Sequence, residues 1–336
     1  MLVVRPAGPD DFDALWELAL ASGPGFTSLP DHEPTLRQRL VCSQGSFDGS
    51  LPREDCWYVL MLENAETGEI DGIAGVKAAV GLKRPFASFR RVVFSHYHVS
   101  DHLEARLDQP ALLWVNECRG WSEVGSLYLK PDRRTGGAGS LLARSRYMLI
   151  GADTSRFSEW VLAELRGVID DQGNSPFWDH VTSKFFPIDF AFADELSGSS
   201  DGQFIFDLAP HHPIYENLLP EPARDVIGRC HPDGIPAKVL LEKEGFRDSG
   251  LVDVFDAGPT VACHRDAIRT VKDSRRLPAA IVGEVEARPV LVSADSLAAF
   301  RSTRAPVDFA AERAYLGRET AELLKVKDGD MVRVIA

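Results

Sequence analysis

The stretch Gly125–Ile150, GSLYLKPDRRTGGAGSLLARSRYMLI, reads as a strand, a turn rich in arginine and glycine, and a helix. The turn holds Arg134-Thr135-Gly136-Gly137-Ala138-Gly139, an Arg-x-x-Gly-x-Gly spacing. Glycines let the chain bend tightly and place no Cβ between the backbone N–H groups and an approaching anion. The helix begins at these glycines, so its unpaired first amides and the positive end of its dipole point to the same place. Leu141, Leu142, Ser145, Met148 and Leu149 fall on one helical face, which predicts that this face lies on a sheet. The geometry suits a pyrophosphate with a flanking guanidinium. It is not a P-loop, because the Gly-Lys-Ser/Thr ending is missing, and it lacks the Gly-x-Gly-x-x-Gly of a dinucleotide fold. Taken alone, the turn fits an anion cradle and a plain surface turn equally well.

The bulk numbers narrow the choice. The chain has 336 residues, 44% of them hydrophobic and 26% charged, which describes a soluble globular protein able to bury a real core. A formal charge of −13 repels nucleic acid and anionic membranes, so neither is expected as a partner. An anionic ligand needs a local basic cluster, and Arg133, Arg134, Arg144 and Arg146 supply one beside the glycine turn. The five cysteines are scattered and include no Cys-x-x-Cys pair, which argues against a disulfide framework or a zinc site. No metal is expected. With no apolar run long enough for a signal peptide or a membrane span, the expected compartment is the cytoplasm.

Along the chain, Leu2–Arg5 reads as a strand and Pro9-Asp10-Asp11 opens a helix, with a second helix from about Pro34 to Cys42. Strands follow at Tyr58–Leu62, Ile73–Val80, in FRRVVFSHYH, in ALLWVNEC, at Val124–Leu129 and at Trp160–Leu165. SPFWDHVTSKFF reads as a helix, LSGSSDGQ as a surface loop, Ala237–Glu244 as a helix and Leu251–Phe255 as a strand. From about Gly258 the composition turns to short β-rich pieces. This predicts a main domain over residues 1–257 and a small β-rich subdomain over 258–336.

Strand, Arg-x-x-Gly-x-Gly turn and helix together resemble the acyl-CoA motif of the GNAT N-acyltransferase superfamily. The resemblance implies that Leu127, Tyr128 and Leu129 offer backbone groups to pantetheine. It implies equally that Arg134, Thr135, Gly136, Gly137, Ala138 and Gly139 hold the phosphates. Further motifs sharpen it: GPGFTSLP, SLYLKPD, LARSRYM, AELRGVIDDQGNSPFW, KFF, HPIY, DVIG, HP, LEKEGF and FDAGPTV stand in the order found in arginine N-succinyltransferases. The likeness spans roughly Met1–Arg276. The chain departs at Lys130, Arg133 and Pro24, where that family commonly has an acidic residue, a tryptophan and another residue. The fold implied is α/β (α+β), a GNAT-like mixed sheet flanked by helices. It is enlarged by insertions between the third and fourth strands and after the fifth. The substrates implied are L-arginine and succinyl-CoA, with no permanently bound cofactor. The assembly implied is a homo-oligomer or a pair with a paralogous subunit.

The reaction implied is attack of an amine on a thioester. Arginine's guanidinium stays protonated, so the α-amine is the nucleophile. A histidine can move a proton in such a step. Among nine histidines, His231 stands out in GRCHPDG, between a helix end and a Pro/Gly turn. The resemblance assigns the matching His-Pro as proton donor. Cys230 adjoins it, but neighbours in an extended segment point opposite ways, which favours direct transfer in a ternary complex over an acyl-cysteine. AELRGVID places Glu164, Arg166 and Asp170 near the end of a strand beside the expected cofactor strand. Glu164 and Arg166 suit substrate recognition and a structural ion pair equally. Ser28, in the GPGFTSLP loop, is a further candidate for lining the site. The rivals are an acyltransferase for another amine or acyl-CoA, such as ornithine or acetyl-CoA, and a catalytically silent subunit that binds CoA or arginine.

Overall fold

The computed structural model describes residues 1–23, 28–170, 173–190, 192–193, 203–310 and 312–336. The GPGFTSLP loop up to Thr27, and most of LSGSSDGQ, lie outside the described residues. The first part of the chain forms β1 (Leu2–Pro6), helices α1 (Phe12–Ser22) and α2 (Glu33–Phe47), then β2 (Trp57–Asn64) and β3 (Ile70–Lys77). A long hairpin follows, β4 (Ser88–Val99) and β5 (Glu104–Val115), before β6 (Ser122–Leu129), α3 (Ala138–Ala152) and β7 (Trp160–Glu164). Short pieces come next: α4 (Pro176–His180), α5 (Gln203–Asp207), β8 (Ile214–Tyr215) and α6 (Glu221–Arg224). The region closes with α7 (Ile235–Glu244), β9 (Arg247–Asp253), β10 (Pro259–His264) and α8 (Arg269–Asp273). The C-terminal part adds β11 (Arg275–Val282), β12 (Pro289–Ala294), β13 (Ser302–Asp308), β14 (Ala314–Gly317), α9 (Arg318–Leu324) and β15 (Met331–Ile335).

The strands run in the order β12-β15-β11-β14-β13-β1-β2-β3-β6-β7-β10-β9-β4-β5-β8. Parallel pairs (β6–β7, β11–β14) stand among antiparallel ones, so the sheet is mixed, as expected. The insertions fall between β3 and β6 and after β7, as expected, and the first of them pairs with β9 on the far side of the sheet. The helix expected over SPFWDHVTSKFF breaks at Val181, where Thr182 Oγ1 donates to the Val254 carbonyl at 2.7 Å and pulls the chain out of helical register.

The tail is joined differently from the expectation. Residue 258 lies between β9 and β10, which pair with each other, and β10 also pairs with β7, so the chain is still in the main sheet there. Strand partners change only at Arg275, after α8. From there the strands gather their own apolar core, including Leu277, Val292, Val307, Leu316, Leu324 and Val334. They are also welded to the main sheet: β13 pairs antiparallel with β1, and Ser302 Oγ lies 2.9 Å from Ser145 Oγ on α3. Arg333 Nη2 donates to the Gly151 carbonyl at the end of α3 at 2.6 Å. Consequently α3 is buried on almost every side rather than on one face.

Candidate active site

Strands β6 and β7 run parallel but share only the pairings Ser122↔Val161 and Glu123↔Leu162, although both strands continue. They therefore splay apart and leave a cleft. On its other edge β6 carries a bulge: from Gly75↔Gly125 to Ile73↔Tyr128 it advances one residue more than β3. Ser126 adopts φ 50° there. Leu127, Tyr128 and Leu129 follow the bulge along the cleft, with no β7 pairing opposite them. Tyr128 turns its ring away and donates its hydroxyl to the Ala21 carbonyl at 2.9 Å.

The C-terminal end of β6 feeds the glycine turn. Arg134 Nε donates to the Leu129 carbonyl at 3.0 Å, which ties the turn to the strand. Gly136 and Gly137 have φ 63° and 83°, the left-handed region that glycine occupies without strain. Arg134, Thr135, Gly136 and Gly137 are exposed, Ala138 is buried and Gly139 half-buried. No side chain caps α3; the Ala138 amide donates to the Thr135 carbonyl at 3.3 Å, and those of Gly139 and Ser140 are left for a ligand. Of the four arginines expected to cluster here, only Arg134 is exposed and without an acidic partner among the described residues. Arg133 sits 3.3 Å from both Asp71 and Glu69, Arg144 lies 3.4 Å from Glu244, and Arg146 is buried with Nε on the Ala143 carbonyl. In their place comes Arg304 of β13: a Cβ at Gly137 would stand 3.2 Å from its Nη1. A cavity of about 110 Å³ continues behind the turn along α3, with Ser140, Arg144, Lys243 and Arg269 in its walls.

The N-terminal half of β6 borders a second, smaller cavity of about 10 Å³. Strand register creates it. Trp57 stands opposite Lys77, and Lys77 opposite Glu123, so three side chains from β2, β3 and β6 form one row across the sheet. Gly75 and Gly125, also opposed, leave the sheet bare beside them, and Ser28 and Ser126 complete the lining. Lys77 Nζ pairs with Glu123 at 2.7 Å. Behind Ser28 and Trp57 lies Arg39 of α2, whose guanidinium stacks 4.0 Å from the Trp57 ring and donates from Nη1 to the Ser28 carbonyl. Burial pulls the Arg39 guanidinium down to about 10.

Beyond β7, the His231 amide donates to the Arg166 carbonyl at 2.8 Å, so these two expected residues are neighbours. His231 Nδ1 accepts from the Asp233 amide at 3.2 Å, which leaves the proton of the neutral ring on Nε2. Burial, aided by the Arg166 charge, lowers its pKa below the usual histidine value. Cys230 directs its thiol to the His231 carbonyl, away from the imidazole, and burial raises the thiol pKa. Glu164 is held well above the ordinary carboxylate range by burial, then by Asp253 and Glu123, while Lys77 opposes the shift. Asp253 is pushed up to about 7 by burial and by Asp256. Asp256 closes the FDAGPT loop on the AELRG segment: its two oxygens accept from Gly167 and Gly258 at 2.7 and 2.8 Å. Asp170 stands apart from this group, accepting from Asn174 through both oxygens within its own loop.

The structure thus brings Ser28 to the small cavity and Glu164 to its charge field, and sets Arg166 against His231. It also shows Arg39, Trp57, Lys77, Glu123 and Arg304, none of which the sequence marked. Among the described residues no group of three or more His, Cys, Asp and Glu is arranged to hold a metal ion, and no helix is long and apolar enough to cross a membrane.

Comparison with known proteins gives the family. Residues 2–270 match the family described as arginine N-succinyltransferase beta subunit, and residues 275–336 match its C-terminal domain. The two matches meet where the strand partners change. Proteins named arginine N-succinyltransferase from Escherichia coli and Shigella flexneri are each 40% identical over 342 residues, covering 100% of this chain and 97% of theirs. The solved structure of arginine/ornithine succinyltransferase subunit AI from Pseudomonas aeruginosa superposes with a TM-score of 0.90 at 34% identity. It covers 100% of this chain and 98% of that one.

Proposed function

Because the chain belongs to the arginine N-succinyltransferase family, an acyltransferase family, we propose that it moves the succinyl group of succinyl-CoA onto the α-amine of L-arginine. Transfer is direct, within a ternary complex. The observation that carries the placement is the continuous path from the splayed β6–β7 cleft to the uncapped glycine turn. The β6 edge at Leu127–Leu129, which β7 does not pair, suits the amide-bearing pantetheine arm. The amides of Gly136, Gly137 and Gly139, with Arg134 and Arg304, suit the diphosphate. The basic cavity along α3 suits the nucleotide end.

His231 faces the reaction as a neutral ring with its proton on Nε2. As the amine nitrogen bonds to the thioester carbon and the C–S bond breaks, negative charge collects on sulfur. As imidazolium, His231 gives its Nε2 proton to sulfur and returns to the neutral ring; as the neutral ring it gives sulfur a hydrogen bond only, and the ammonium proton leaves to solvent or to a nearby carboxylate. Cys230 takes no covalent part, since its raised pKa keeps it a thiol. The five cysteines of the described chain are free, which fits a cytoplasmic setting. A homo-oligomer or a pair with a paralogous subunit is proposed on family grounds.

The test is thiol release by the purified chain with a panel of acyl-CoAs and amino acids. Release with succinyl-CoA and arginine is expected. Activity confined to acetyl-CoA, or to ornithine, would favour the rival acyltransferases, and no release with any pair would favour a silent subunit.

A further inference from the structure

We infer that the small cavity edged by Lys77 and backed by Arg39 is a carboxylate subsite, the feature that tells a substrate bearing a carboxylate from one that lacks it. This rests on the acyl-transfer reading above and adds a specificity element to it.

Three observations carry it. Arg39 is 6% exposed, and its Nε is buried without a hydrogen-bond partner among the described residues. A buried guanidinium in that condition is costly unless an anion completes it. Next, Arg39 and Lys77 flank one ring, at 4.0 and 4.6 Å from Trp57, against the single carboxylate Glu123, which Lys77 already engages. The row therefore carries one cation in excess. Finally, the cavity has room for about one water-sized group, which admits the end of a carboxylate and excludes a guanidinium or a ring. Glu164, the other acidic group near Lys77, is held well above the carboxylate range, so it offsets that excess poorly.

Two groups of the proposed reaction have this chemistry: the free end of the succinyl chain and the α-carboxylate of the amino acid. The experiment separates them. The full chain, as wild type and as Arg39→Gln, Arg39→Lys and Lys77→Gln, is assayed for kcat/KM in two substrate pairs. One is succinyl-CoA against butyryl-CoA with arginine as acceptor. The other is arginine against agmatine with succinyl-CoA as donor. The expected result is that Arg39→Gln and Lys77→Gln reduce the preference for the carboxylated member of one pair at least tenfold. The other pair's preference stays within about twofold, and Arg39→Lys recovers part of the loss. The pair that collapses names the carboxylate. A purely structural Arg39 would lower all four rates together, so both preferences unchanged in folded variants overturns the inference. Should Arg39→Gln fail to show a cooperative melt, the more exposed Lys77→Gln decides by the same criterion. If wild type releases no thiol in any pair, the acyl-transfer reading falls first and this inference with it.

Discussion

The two ends of β6 offer different kinds of group to a ligand. At the C-terminal end the groups offered to a ligand belong to the main chain: the amides at the start of an uncapped helix and of the two left-handed glycines before it. That end is exposed, and its side chains could be exchanged with little change in what the backbone presents. At the N-terminal end the groups offered are side chains from α2, β2, β3 and β6, buried and charged, and set in a row by strand register. A backbone site of the first kind suits a cofactor fragment shared by many enzymes. A side-chain site of the second kind suits discrimination among acids and amines, since each residue can be changed without rebuilding the fold.

Experiments can break this contrast at several points. The largest effect is expected at His231, which belongs to neither end and is the residue proposed to act on the thioester. His231→Ala should lower kcat by about 100-fold or more, with KM for succinyl-CoA within about threefold of wild type. The pH profile gives a second readout. Proton donation needs the imidazolium, whose pKa burial and the Arg166 charge lower, so the ratio of wild-type to variant rate should be largest on the acid side and shrink as pH rises through a value below about 6.5. Undiminished turnover would clear His231.

Next in size is Gly137→Val. It forces a β-branched residue into φ 83° and pushes its side chain against Arg304, so KM for succinyl-CoA should rise about tenfold or more with kcat at saturation largely kept. An unchanged KM contradicts the placement of the diphosphate. Arg304→Ala should raise the same KM by about threefold, and the difference should shrink as salt is added, as expected for an exposed charge. An equal effect at high salt would mean that Arg304 acts through packing of the C-terminal strands. The smallest effect belongs to Thr135→Ala. If the turn binds through its backbone, this change stays within about twofold, and a larger loss would show that side chains matter there after all.

The same contrast explains what could be read in the sequence. The glycine turn, its preceding strand and its helix are contiguous, so a local pattern sufficed. Most strands of the main sheet were legible too, because their apolar runs are local, but β10 was not read and ALLWVNEC covers only the second half of β5. The row of Trp57, Lys77 and Glu123 spans separate strands, and only the β2–β3–β6 register makes it one surface. No spacing in the chain encodes that register. Arg304 was hidden for a similar reason: β13 returns from the far end of the chain to pair with β1 and bring a guanidinium to the turn. The expected boundary at 257/258 followed a change in composition, whereas strand pairing keeps β10 in the main sheet up to His264. Asp170 looked like a site residue by nearness in sequence, yet its loop folds back on Asn174.

Amide hydrogen exchange of the full chain, with and without saturating CoA, bears most directly on the claim that peptide nitrogens at the start of α3 grip the diphosphate. Strong protection confined to residues 136–140 and to the β6 edge at 127–129 is the predicted result. Unchanged exchange there, with protection appearing in some other segment, would contradict it.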